Sequence, residues 1–205
     1  MSTHGDHLPE MTNGVRHYIG DYISGLRQLL ADVDTAAVEQ NVDLLFTAYE
    51  RGRRVVLCGN GGSASTASHL VCDLMKIILL EGGKPFEVIA LTDSPSLMSA
   101  WGNDTHFDNI FAGQARTWLR EGDVLIAISG SGNSKNVLNA VEVAREVGAS
   151  SVGWCGYSGG KLAEAVDLAL IVHRRNMQQV EDMHLIFGHI IFSALRDRVK
   201  GRLAA

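Results

Sequence analysis

Cysteine is scarce in this chain. Its 205 residues hold three, Cys58, Cys72 and Cys155, with no CxxC pair among them. That argues against a disulfide framework and leaves a reducing cytoplasm as the expected compartment. Basic charge is in deficit too: the net charge of -5 provides no broad positive field for a nucleic acid. The acidic balance does not exclude a local anion site, because backbone N–H groups bind phosphate without any Lys or Arg. No basic segment followed by an apolar one opens the chain. Met1–Glu10 is polar, and its His4 and His7 read as part of a frayed tail. Apolar runs such as Ile77–Leu80 are far too short for a membrane span. Low-complexity linkers and short repeats are lacking as well.

What is present suits a single core: hydrophobic residues make up 46% and charged residues 20% of the chain. Residues 1–50 read as a helical region belonging to the same domain. Val15, Tyr18, Ile19, Tyr22, Ile23, Leu26 and Leu29 recur at three- and four-residue steps, and a second helix begins near Asp34, with Val38, Val42, Leu45 and Ala48. Over residues 51–205 the pattern alternates. Arg54–Cys58, Glu87–Leu91, Val124–Ile128, Ser151–Cys155 and Leu168–Val172 are short runs of strands buried on both faces. Helical patterns lie between and after them: Ala64–Leu80, Asp108–Leu119, Ser134–Val147, a brief one near Lys161–Ala165, and Gln179–Val199. This alternation predicts an α/β three-layer sandwich, a five-stranded parallel sheet flanked by helices, with ligands at the carboxyl ends of the strands.

Two of those ends share a composition. The first strand runs into Gly59-Asn60-Gly61-Gly62-Ser63-Ala64-Ser65 and the third into Ser129-Gly130-Ser131-Gly132-Asn133-Ser134, each just before a helix. Glycine lets the backbone approach a ligand closely, serine adds hydroxyls, and the helix start adds unpaired N–H groups. Two such loops point to a phosphate. A dinucleotide site would also fit GxGxxA at Gly59–Ala64, but no acidic residue ends the second strand at the required distance, and the second serine loop would serve no purpose.

Titratable groups supply candidate chemistry. His69 and Asp73 are four apart on the helix after the first loop and share a face. The last helix carries Glu181, Asp182, His184 and His189. Glu181 lies eight residues before His189, about 80° away on an ideal helix, and would converge with it only at the helix start. His69, Asp73, Glu181 and His189 together form the donor inventory of a zinc site. His184 reads as structural.

In order and spacing, Cys58–Ser63, His69, Gly102-Asn103-Asp104, Gly122-Asp123-Val124, Ser129–Ser134, Gly159-Gly160-Lys161 and Val180–His184 with His189 resemble the phosphoheptose isomerases, sugar-isomerase (SIS) domain proteins. The likeness runs from about Tyr18 to Leu195. It implies an SIS fold, a homotetramer with active sites at subunit boundaries, and the isomerisation of sedoheptulose 7-phosphate to D-glycero-D-manno-heptose 7-phosphate through an enediol. It places phosphate on Ser63, Ser129, Ser131 and Ser134 and the sugar on Asn60 and Gly61, with Asn103 and Asp104 also binding substrate. His189 falls on the family's acid/base histidine and Asp73 on its catalytic base. His69, Asp73, Glu181 and His189 fall on the zinc ligands that some members use. The chain departs from the family pattern in several places. Asp73 replaces a longer glutamate, Glu181 a glutamine and Gly130 a threonine, and Ile77 stands where an arginine follows the base. The base is therefore Asp73 or Glu181. A rival class is the non-catalytic SIS regulator that associates with the bacterial replication initiator, which carries asparagine where His189 stands here. SIS modules that sense phosphosugars for transcription carry a DNA-binding part that this chain lacks.

Overall fold

The computed structural model describes residues 14–80 and 82–201, so His4 and His7 lie outside the described residues, as does the side chain of Ile77. Two helices come first, α1 (Val15–Ala31) and α2 (Thr35–Glu50). Asp34 caps α2 by accepting the Ala37 N–H at 3.0 Å. Five strands follow: β1 (Val55–Gly59), β2 (Val88–Ala90), β3 (Val124–Ser129), β4 (Ser150–Gly156) and β5 (Leu168–Val172). They form one sheet in the order β2-β1-β3-β4-β5, and every pairing is parallel. The order reverses between β1 and β3. Helices leaving those two strands go to opposite faces and open a crevice, where doubly wound sheets bind their ligands. Both Gly/Ser loops leave the sheet at this point.

The remaining helices are α3 (Gly62–Val71), α4 (Ile78–Leu80), α5 (Pro95–Asp104), α6 (Ala112–Trp118), α7 (Lys135–Val147), α8 (Gly160–Ala165) and α9 (Met177–Val199). Side chains alternate across the sheet. Val55, Leu57, Ile126, Ile128 and Trp154 join α2, α3 and α9 in one core, while Val56, Cys58, Leu125, Ala127 and Cys155 join α6, α7 and α8 in the other. Both faces are covered, which is why the strands read as continuous apolar runs.

Two features differ from the sequence expectation. Residues 95–104 are helical although no apolar stripe marks them, since α5 buries none of its residues. Ser94 caps this helix and Pro95 opens it, a start signal independent of periodicity. Second, Gly62–Leu80 is a 19-residue helical run with mean hydropathy 1.3, which has the length and composition of a span. Here one face of it packs on the sheet, through Ala67 and Leu70.

Candidate active site

The first loop turns at Gly61, whose φ of +54° suits glycine, and delivers Ser63 to the start of α3, where it is buried. In the second loop Gly132 has φ +66°, and any side chain there would overlap the carbonyl of Gly159 in the β4–α8 turn. That turn is pinned to the second loop. Leu162 N–H donates to Gly132 O (2.9 Å), Gly156 N–H to Gly130 O (3.0 Å) and Lys161 N–H to Asn133 Oδ1 (3.3 Å). Within the loop Ser129 Oγ donates to Ser134 Oγ at 3.1 Å, and Ser131 Oγ accepts the Asn133 N–H at 3.2 Å. Ser134 is the N-cap of α7, yet its hydroxyl caps no backbone N–H. The hydroxyls and the helix start thus remain available to an anion.

Gly130 is buried because Met177, the first residue of α9, fills the space beside it, and its Sδ would collide with a Cβ at Gly130. Met177 thus occupies the space that a side chain at Gly130 would need.

About two turns along α3, a second group assembles. His69 Nε2 lies 2.9 Å from His189 Nε2 and 3.4 Å from Asp73 Oδ2, and His189 Nε2 lies 3.9 Å from the same oxygen. The two rings meet edge to face, 5.0 Å between centroids. The imidazoles are 46% and 50% exposed and Asp73 15%, so the cluster opens outward with its carboxylate at the base. Asp73 sits in a π-helical turn, Cys72–Ile77, a local widening often found at functional sites.

These atoms fit a zinc ion. Tetrahedral ligands about 2.0–2.1 Å from zinc stand about 3.3 Å apart, and the three separations found, 2.9, 3.4 and 3.9 Å, bracket that edge. Among the described residues this group comprises His69, Asp73 and His189. Glu181 is not brought to it. A Cβ at Gly62 would lie 2.6 Å from Glu181 Oε2, so this carboxylate rests over the start of α3, beside the first loop. The reason is helix direction. A Cβ at Gly188, next to His189, would meet Leu70 Cδ2 at 2.6 Å, next to His69, so α9 runs alongside α3 in the same sense. Eight residues of α9 advance about 12 Å, and the start of one helix faces the start of the other. Three ligands and an open position suit a catalytic zinc better than a closed structural one.

Asn60 uses its side-chain amide within the protein, in a pair with Asn136. Asn103 and Asp104, at the end of α5, are exposed and bond to each other, Nδ2 to Oδ1 at 2.9 Å. Asp182 accepts the Tyr22 hydroxyl at 2.6 Å and holds its pKa up at about 12, tying α1 to α9. His184 is buried, with Nε2 3.1 Å from Cys155 O; the bond implies that Nε2 carries the proton, and Nδ1 has no partner. Burial lowers its pKa to about 4, so it is neutral and structural. Asn136 was not evident from sequence: an asparagine in a first helical turn reads as a local capping residue.

The SIS domain family model matches residues 17–156, a span that includes most of α1 and all of α2. The phosphoheptose isomerase of Rhodospirillum rubrum is 42% identical over 161 residues, covering 78% of this chain and 85% of that protein. The phosphoheptose isomerase of Clostridium acetobutylicum is 34% identical over 192 residues, covering 93% of this chain and 97% of its own. Among solved structures, a phosphoheptose isomerase from Francisella tularensis superposes with a TM-score of 0.83 at 28% identity, covering 89% of this chain and 96% of that one.

Proposed function

The chain belongs to the phosphoheptose isomerase family of SIS-domain proteins and is an isomerase, and from that premise we propose that it converts sedoheptulose 7-phosphate to D-glycero-D-manno-heptose 7-phosphate. The observation that carries this reading is the juxtaposition of two Gly/Ser loops at the β1/β3 crevice with the His69–Asp73–His189 cluster two turns along α3. The loops hold the phosphate remote from the reacting carbons and contribute binding energy that positions C1 and C2. Ser63, Ser129, Ser131 and Ser134 face the phosphate, and Asn60, Gly61, Asn103 and Asp104 the sugar.

Aldose–ketose isomerisation moves one proton between C1 and C2 and another between their oxygens. Asp73 takes the carbon-bound proton and returns it to the neighbouring carbon. His189 gives and accepts the oxygen-bound proton, and its closeness to Asp73 lets the two act on adjacent atoms. Glu181, beside the first loop, orients the sugar hydroxyls and is the alternative base. In a metal-bound form, His69, Asp73 and His189 would instead hold zinc, which would supply Lewis-acid polarisation of the carbonyl in place of the His189 proton and leave Glu181 as the base. His189, where the regulatory relative has asparagine, favours catalysis over phosphosugar sensing alone.

The protein works as a homotetramer in the cytoplasm. Val15, Tyr18, Ile19, Ile23 and Leu30 leave an apolar stripe of α1 exposed, and an apolar groove of about 580 Å3 runs between α2 and α9. A second copy would cover both. The three cysteines are unpaired, in keeping with a reducing compartment.

Incubation of the purified protein with sedoheptulose 7-phosphate tests the reaction: the expected product is the aldoheptose 7-phosphate. No turnover of any five- to seven-carbon ketose phosphate would reject the assignment. Elemental analysis of protein purified without chelator tests the zinc, and light scattering tests the tetramer.

A further inference from the structure

The two Gly/Ser loops are joined by side chains as well as by the sheet. The ladder between β1 and β3 ends at Gly59 opposite Ile128. Beyond it Asn60 and Asn136 form a closed amide pair. Asn60 Nδ2 donates to Asn136 Oδ1 at 2.9 Å, and Asn136 Nδ2 donates back to Asn60 Oδ1 at 2.8 Å. The orientation of the pair follows from a third bond. The Val137 N–H points at Asn136 Oδ1 at 2.9 Å, which identifies that atom as the oxygen and makes Nδ2 the donor to Asn60. Asn136 is only 2% exposed. A buried amide is costly unless its bonds are made, so the pair resists opening and holds both loops in one relative position.

We propose that Asn136 is a positioning residue for the phosphate cradle. Through Asn60 it fixes the distance between the loop that carries Ser63 and the loop that carries Ser129, Ser131 and Ser134. The β4–α8 turn braces the second loop from its other side, with Gly132 packed against Gly159. One anion shared by hydroxyls on two loops needs that distance set before it arrives, since loop ordering on binding subtracts from affinity. Asn136 acts through Asn60 and is assigned no contact with substrate. The proposal rests on the reading of these loops as the phosphate site.

The test compares wild type with Asn60→Ala, Asn136→Ala, the double variant and Asn136→Asp. Each is titrated with inorganic phosphate and with sedoheptulose 7-phosphate, and KM and kcat are measured. Asn136→Asp keeps the size and the Val137 bond but sets two oxygens face to face, so it serves if the alanine variant does not fold. Each single variant is expected to bind both probes about tenfold more weakly. The double variant should be no weaker than the singles, because the pair acts as one unit. In the Asn136 variants KM should rise by the same factor, with kcat changed by less than about threefold. Wild-type affinity and KM in the folded Asn136 variants, with only a lower melting temperature, would reduce Asn136 to a structural residue and overturn the proposal. Losses that add in the double variant, or a fall in kcat with KM unchanged, would overturn it too. If wild type binds neither probe, the phosphosugar reading itself fails, a result distinct from these.

Discussion

The two halves of the site are built on opposite plans. At the loop end the amides that set the loop geometry already have protein partners: Asn60 with Asn136, and Asn133 with Ser131 and Lys161. Glycine contacts such as Gly132 against Gly159 leave the backbone no slack. At the histidine end, side chains about half exposed meet over a single carboxylate, and one contact sets two imidazole nitrogens at 2.9 Å, where only one of them can carry the proton. The contrast separates two tasks. Binding a phosphate rewards rigidity fixed in advance, whereas moving protons, or holding an ion, requires donors left free to be recruited.

The largest expected effect tests that division directly. His189→Asn retains size and hydrogen bonding but cannot titrate. Turnover should fall about a hundred- to ten-thousandfold, the range of general acid–base catalysis, while sugar phosphate still raises the melting temperature as in wild type. Loss of the melting shift as well would show that the two halves are not separable.

Asp73→Asn and Glu181→Gln sharpen the same boundary. Asp73→Asn should cost turnover by about a hundredfold or more. Glu181→Gln, beside the loop, should act mainly on KM. The reverse pattern in steady-state kinetics would move the base to Glu181.

At the loop end, two glycines of one loop should respond unequally. Gly132→Ala puts a methyl into a backbone carbonyl at positive φ and should destabilise by roughly 3 kcal/mol or more in urea unfolding. Gly130→Ala meets the flexible Met177 thioether and should cost about 1 kcal/mol or less. Equal costs would mean that the loop is not braced as described.

Buried His184, bonded to Cys155 O near the end of β4, gives a smaller, pH-dependent effect. Its pKa falls from 6.5 to about 4 on folding. Between those values the unfolded chain binds a proton that the folded one refuses, so stability is lost as pH falls through this window. The loss should be roughly 2–3 kcal/mol from pH 7 to 4.5. His184→Gln can still reach Cys155 O, and its urea midpoint should lack that component. An unchanged pH slope in the variant would remove His184 as the cause.

Much of the architecture was written locally. Val55–Cys58 and Val124–Ile128 are strands because each is apolar on both sides, and only a sheet covered on both faces buries such runs. The loops were legible because two Gly/Ser-rich turns recur at equivalent strand ends, where one alone would read equally well as a tight turn with a good N-cap, and the family likeness assigned roles to their serines. Helix α5 escaped because periodicity is a signal of burial, and α5 has no fully buried residue, only Met98 and Trp101 packed partly buried against the core.

By itself, then, the sequence determined the strands, the two Gly/Ser-rich loops, the His69–Asp73 pair and the structural character of His184, all of which depend on neighbours in the chain or on composition. The tertiary structure alone decided which helix starts lie together. Spacing along α9 cannot say which way α3 runs beside it, and that direction puts His189 with His69 while leaving Glu181 at Gly62. It also decided the strand order that makes neighbours of β1 and β3, and with it the meeting of Asn60 and Asn136, 76 residues apart in the chain. Contacts of that kind depend on the packing of whole elements, which no local pattern of residues encodes.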